Sequence, residues 1–182
     1  MSGMPDLPFL TVGHSNRELD EFIELLEQHA VESLVDVRRL PGSRRYPQFN
    51  ADALEASLAD RGIAFRRSEG LTGRRPVSRE VPFEVNAWWQ NRSFHNYADH
   101  ALGREFADAL LELRGAGSER RTAVMCSEAV WWRCHRRIIA DHLLAAGEEV
   151  RHILGPGRSD PAELSAGAVI GAEGEVSYPA RP

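Results

Sequence analysis

"TAVMCSEAVWWRCHRRIIADHLL" (residues 122–144) opens as an apolar run of strand length and closes as a helical pattern. The reading is a strand over 121–127 and a helix from Cys134 to Gly147, with Cys134 and His135 in its first turn. "EVRHIL" (149–154) follows as another strand. A strand, a helix and a strand in so short a span point to parallel pairing through a helical crossover.

The same alternation runs upstream. "PFLTVGH" (8–14) reads as a buried strand, and "SNRELDEFIELLEQHA" places Leu19, Phe22, Ile23, Leu26 and Ala30 on one helical stripe. Ser15 and Glu18 have the spacing of a capping box. "SLVDVRR" (33–39) is a second strand, ended by "PGS". Asn50 is placed to cap the helix "ADALEASLADR", and Gly62 to close it. "IAFRRSE" (63–69) is a third strand. Residues 70–95 carry no clean period, as a functional loop or lid would, and a helical pattern resumes over 95–114 with a break at Gly103.

These elements predict a single Rossmann-like α/β domain over 1–182, with a mostly parallel sheet of about five strands flanked by helices. Its core spans about 9–154, and 155–182 form an extension with a small hairpin around Glu173-Gly174. Ligands in such sheets bind beyond the carboxyl ends of the strands, where strand order reverses. A strand order of 3-2-1-4-5 would bring Gly13-His14-Ser15 beside Cys126-Ser127-Glu128.

Composition narrows the class. The chain has 182 residues, enough to bury roughly 70% of its unfolded surface. Its apolar runs fall short of the ~20 residues that cross a bilayer, and no secretory signal pattern is visible, so a cytoplasmic protein with no membrane partner is expected. With two cysteines in that setting, a structural disulfide is not assumed. The net charge is −5, yet residues 36–79 hold ten arginines against five acids and residues 120–137 five against one. Two basic segments on an acidic chain suggest a local anion site rather than a broad nucleic-acid surface. All 22 basic residues are arginine, which a GC-rich genome explains most simply.

Several residues in these segments have chemical uses. Cys134, beside His135 at a helix start, is positioned for a lowered thiol pKa, although a buried cysteine more often just packs. Cys126 inside "TAVMC" is weaker, and Glu128 at the strand end is a candidate acid/base or arginine-orienting group. Cys126, Cys134, His135 and His14 are zinc-type ligands, but their spacing matches no zinc pattern, so no metal is assigned. The sequence leaves the cofactor unknown. In "DVRRLPGSRRYPQFN" Asp36 and Arg38 end a strand, and Arg39, Arg44 and Arg45 follow in a turn. These arginines with loop N–H groups form a candidate anion clamp, or Asp36 pairs with an arginine to hold the loop and the others are solvated. Arg74 on the long loop adds to it.

Taken together, "TVGHSNRELDEFIELL", "LVDVRRLPGSRRYPQFN", "YADHA", "MCSEAVWWRCHRRIIADHLL" and "VRHI" resemble the domain of unknown function 488 (DUF488) family over about residues 9–154. The resemblance implies a compact α/β domain without an established activity. It places signature positions on Gly13, His14, Ser15, Asp36, Arg38, Pro41, Ser43, Pro47, Phe49, Asn50, Tyr97, Cys126, Glu128, Cys134, His135 and Arg136. Where the family more often has Leu-Gly-Gly-Arg, this chain has Leu71-Thr72-Gly73-Arg74, which puts a close backbone approach at residue 72 in question.

The leading functional expectation is an enzyme for a small anionic, phosphate- or nucleotide-like ligand. His14, Glu128, Cys134 and His135 would be its chemical groups. Ser15, Asp36, Arg38, Arg44, Asn50, Arg74, Tyr97, Cys126 and Arg136 would be its binding groups. The alternatives are a non-catalytic nucleotide or nucleic-acid binding module, in which arginines and aromatic rings matter and thiols do not, and a thiol redox sensor needing both cysteines.

Overall fold

Successive side chains of a strand face opposite sides of its sheet, so a strand apolar on both faces belongs between two layers. A computed structural model, describing residues 7–181, contains the five expected strands: β1 (Phe9–Gly13), β2 (Ser33–Asp36), β3 (Ala64–Arg67), β4 (Thr122–Cys126) and β5 (Val150–Gly155), of which β1, β2 and β4 are buried throughout. Residues 1–6 and 182 of the expected domain lie outside the described residues. Five helices accompany them: α1 (Leu19–Gln28), α2 (Ala51–Ala59), α3 (Arg92–His100), α4 (Arg104–Glu119) and α5 (Arg136–Ala145). Leu10, Val12, Leu34, Ala123 and Met125 pack with α1 and α2 on one face. Phe9, Val35, Val124 and Cys126 pack with α3, α4 and α5 on the other. The result is an α/β fold with helices on both faces of a mostly parallel sheet.

The strand order corrects the expected 3-2-1-4-5. It is β3-β2-β4-β1-β5, with a sixth strand, β6 (Arg158–Pro161), antiparallel at the β5 edge. All five residues of β4 are buried, so this strand takes a central place between β2 and β1. Hydrophobic periodicity marks β4 as a strand without naming its neighbours. β6 escapes the sequence reading because "RSDP" is polar and largely exposed, as an edge strand ending in proline can be.

Local signals hold unevenly. Gly62, with φ +73, closes α2, and Gly103 separates α3 from α4 as expected. The Ser15–Glu18 capping box does not form: Glu18 caps α1 without a side-chain bond, and Ser15 Oγ turns to Asn16. Asn50 occupies the α2 cap position, but its carboxamide oxygen accepts from the Ser43 N–H (2.8 Å) instead. Helix α5 starts two residues later than expected, so Cys134 stands before the cap in extended conformation, after a 3-10 turn at Trp131–Arg133. The 70–95 segment is irregular apart from 3-10 turns at Glu69–Leu71 and Phe83–Asn86 and the start of α3 at Arg92, earlier than expected.

The C-terminal segment is part of the core. β7 (Val169–Ile170) and β8 (Val176–Ser177) form the expected hairpin, with Gly174 at φ +85 in its turn. Tyr178, fully buried, receives the Trp88 N–H on its carbonyl (2.9 Å), gives its own N–H to Asn86 Oδ1 (3.0 Å) and donates its hydroxyl to Asp141 Oδ2 (2.7 Å). Asp141 also accepts from the Ser165 N–H. Among the described residues no helix is long and apolar enough to cross a membrane.

Tyr178→Phe leaves a buried carboxylate short of one donor, so urea unfolding should show a loss of about 1–3 kcal/mol of stability, with the folded far-UV spectrum retained.

Candidate functional site

The chain leaves β1 and β2 toward α1 and α2 on one face, whereas it leaves β4 toward α5 on the other. The loop after β4 therefore diverges from both neighbouring loops and opens a crevice at the carboxyl ends of three adjacent strands. A cleft of about 370 Å³ lies there. Its lining includes Arg38, Arg39, Gly73, Arg74, Phe94, Tyr97, Cys126, Ser127, Glu128, Arg133, Cys134 and His135.

At the cleft floor Cys126 Sγ and Cys134 Sγ stand 2.7 Å apart as free thiols, 3% and 6% exposed. Behind them lies Arg136, 1% exposed. Its Nη1 donates to Cys126 Sγ (3.2 Å) and its Nη2 to the Ala129 carbonyl (3.2 Å), while its Nε is buried without a partner. Among the described residues, no carboxylate comes within ion-pair distance of it. A guanidinium does not lose its proton in a protein, so this buried cation favours negative charge on the sulfur it touches. Burial opposes a thiolate at Cys126, but the bond from the Cys134 thiol and the Arg136 charge outweigh it and lower the Cys126 pKa. Burial, and the neighbouring Cys126 sulfur, push the Cys134 thiol well up. The sequence singles out Cys134 as the acidic thiol; the placement of Arg136 favours Cys126. Gly13 is essential to this packing: a Cβ there would lie 1.8 Å from the Glu128 carbonyl oxygen and 2.8 Å from Arg136 Nη1.

His135 borders the pair. Its Nε2–H donates to the Val37 carbonyl (3.0 Å), which leaves Nδ1 as the lone-pair nitrogen, 3.6 Å from Cys134 Sγ. Burial lowers its pKa to about 4, so it is neutral near pH 7. Tyr97 packs against the His135 ring (4.9 Å) and donates its hydroxyl to the Leu71 carbonyl, holding the loop that forms one cleft wall.

A second group sits beside the first. Arg38 makes a two-pronged, buried ion pair with Asp36, Nε to Oδ1 (2.9 Å) and Nη2 to Oδ2 (2.8 Å). His14 Nδ1–H donates to the Ser15 carbonyl, so its Nε2 accepts from Arg38 Nη1 (3.3 Å), while its ring stacks on Phe49 (4.2 Å). Burial lowers the His14 pKa to about 4. With its lone pair engaged, His14 is a support for Arg38 rather than an open chemical group.

The remaining expected residues divide. Glu128 and Arg74 line the cleft rim and are exposed. Arg44 and Asn50 do not line it: Arg44 is exposed in the turn after Pro41, and Asn50 is committed to Ser43. Ser15, with φ +52, supplies its carbonyl to His14. The sequence reading missed Arg133 as a rim cation, although it adjoins Cys134; Arg39, one of the arginines of the expected clamp, and Phe94, an aromatic ring interleaved with the charges, also line the cleft. Among the described residues, no three His, Cys, Asp or Glu side chains cluster as a metal site would need.

Residues 18–143, more than half the chain, match the model of the family described as Domain of unknown function DUF488. The chain belongs to the DUF488 family. No curated protein and no solved structure matches it.

This DUF488 chain also resolves the doubt at residue 72. Thr72 is buried, donates its hydroxyl to the Glu69 carbonyl (2.9 Å) and receives Arg75 Nη2 (3.0 Å), so a side chain there braces the loop. The glycine that the packing demands is Gly73, whose Cβ would lie 2.8 Å from His135 Nδ1.

Four histidines, His14, His135, His142 and His152, are held by burial at a pKa of about 4. Between pH 6.5 and 4 the unfolded chain therefore binds more protons than the folded one, and stability falls as pH falls through that window. Urea midpoints measured from pH 7 to pH 5 should drop, and His152→Gln should remove about one proton's share, roughly 1.4 kcal/mol per pH unit at most, from the slope.

Proposed function

We propose that this DUF488 protein is a thiol-dependent enzyme acting on a small anionic substrate, with the Cys126 thiolate as its nucleophile. The observation that carries this reading is Arg136: a fully buried guanidinium without a carboxylate partner among the described residues, aimed at a sulfur on the cleft floor. Structural packing alone gives no reason to bury such a charge, whereas activation of a nucleophile does.

The cleft supplies the other parts. Arg39, Arg74 and Arg133 project at its rim without carboxylate partners among the described residues and would hold the anion. Arg38 is already neutralised by Asp36, and its role is to shape the floor. His135, neutral and with Nδ1 toward Cys134, can accept a hydrogen bond from that thiol and orient it. Glu128 at the rim can serve a leaving group or orient an arginine. A shallower groove lined by Trp88, Trp89 and Phe94 adjoins the cleft, sharing Asn91 and Phe94 with it. A flat ring joined to the anion fits there, which supports a nucleotide-like substrate.

Alkylation rates measured for each cysteine against pH, by peptide mass spectrometry, test the nucleophile. Cys126 should titrate below the ordinary ~8.5, and Arg136→Met should raise that value and slow Cys126 about tenfold at pH 7. Equal, unshifted rates for both thiols would defeat the reading.

Thermal-shift titration with inorganic phosphate tests the rim. Arg74→Ala and Arg133→Ala should each weaken binding by about 3–10-fold, the range for exposed charge-assisted contacts, while Arg44→Ala should leave it unchanged. If no anion binds wild type even at low salt, the anionic substrate class is wrong.

A further inference from the structure

The proposed nucleophile needs one thiol, yet the cleft floor has two in contact. We propose that Cys126 and Cys134 form a two-electron dithiol–disulfide couple, in which Cys126 takes up a small hydroperoxide and Cys134 resolves the product. This rests on the Cys126 thiolate of the reading above, and it assigns the second thiol a role that a simple nucleophilic mechanism leaves vacant.

The two sulfurs differ in ways that fix the order of events. Cys126 Sγ receives Arg136 Nη1 (3.2 Å), so the attacking charge is on that sulfur. Cys134 Sγ has His135 Nδ1 at 3.6 Å, a neutral lone pair that can accept a hydrogen bond from the thiol and orient it for its attack in turn. Cys126 and Cys134 both line the cleft, which a molecule as small as a hydroperoxide can enter. Their separation is 2.7 Å, and closing it to a bond of about 2.05 Å needs little travel. The chain between them is the loop 127–133, whose regular structure is the single 3-10 turn Trp131–Arg133, so it can absorb that movement.

The chemistry balances. The Cys126 thiolate attacks one peroxide oxygen; an S–O bond forms, the O–O bond breaks, and the departing alkoxide takes a proton from solvent to leave as an alcohol, or as water from hydrogen peroxide. Cys126 is then a sulfenic acid, oxidised by two electrons. Cys134 attacks the Cys126 sulfur; an S–S bond forms, the S–O bond breaks, and the departing hydroxide takes the Cys134 proton and leaves as water. Overall two thiols and one hydroperoxide yield one disulfide, one alcohol and one water. A thiol reductant reverses the couple by exchange.

The test uses the full chain and hydrogen peroxide in slight excess. Wild type should lose about 2 Da on intact-mass analysis, yield a 126–134 linked peptide, and regain both thiols with dithiothreitol. In Cys134→Ser, where resolution is blocked, dimedone should label Cys126. In Cys126→Ser, Cys134 should label at least tenfold more slowly. Arg136→Met should slow the wild-type disulfide reaction about tenfold. Dimedone labelling confined to Cys134, or stepwise over-oxidation of wild type without a disulfide, overturns the proposal; the wild-type result does not depend on any variant folding. Phosphate binding is scored separately, so a chain that forms the disulfide but binds no phosphate keeps this inference and loses the anionic-substrate reading. A chain that binds phosphate but forms no disulfide does the reverse.

Discussion

The buried Arg136 guanidinium is the constraint around which the rest of this structure is arranged. Removing such a group from water costs several kcal/mol unless nearby groups compensate it. Here the compensation comes from the Cys126 sulfur and the Ala129 carbonyl. Meeting that demand sets the path of the loop after β4, which must return its carbonyls toward α5. The same return presses the Glu128 carbonyl against β1, where only a residue without Cβ can stand, and that residue is Gly13. Charge compensation, loop path and strand packing are thus one problem with one solution.

The topology makes the solution possible. Because β4 lies between β1 and β2, its carboxyl end is flanked by the ends of two strands that lead to the opposite face. The Asp36–Arg38 pair and His14 come from those flanking strands and form a second, self-neutralised block beside the thiols. An order with β4 at the far side of β1 would have kept Gly13 beside Cys126 but removed Asp36 and Arg38 from contact with β4. The cleft owes its two-sided wall to the position of one apolar strand.

The arginines illustrate how one residue type divides by environment. Arg38 is an internal strut paired with Asp36, Arg136 is buried against the Cys126 sulfur, and Arg75 ties Thr72 and the Glu69 carbonyl into the loop. Arg39, Arg74 and Arg133 remain free at the rim among the described residues. The two basic segments visible in the composition therefore mix charges spent on folding with charges open to a ligand. An uncompensated cation at a cleft rim is a binding resource; a paired one is scaffold.

Sequence alone determined the strands and helices of the core, because apolar periodicity and the Gly62 and Gly103 breaks are local properties of the chain. It also singled out Cys126, Glu128, Cys134, His135 and Arg136, since their cluster is contiguous. It misjudged Asn50 and Ser15 as helix caps, because their side chains have competing local partners that only the tertiary structure reveals. Tertiary structure decided the rest: that β4 stands between β2 and β1, that a polar edge strand completes the sheet, that Thr72 braces its loop, and that Cys126 rather than Cys134 faces the buried cation. Those outcomes depend on which groups meet across distant parts of the chain. Periodicity carries no record of such meetings, because a residue's pattern reports its own burial and not the identity of its neighbours.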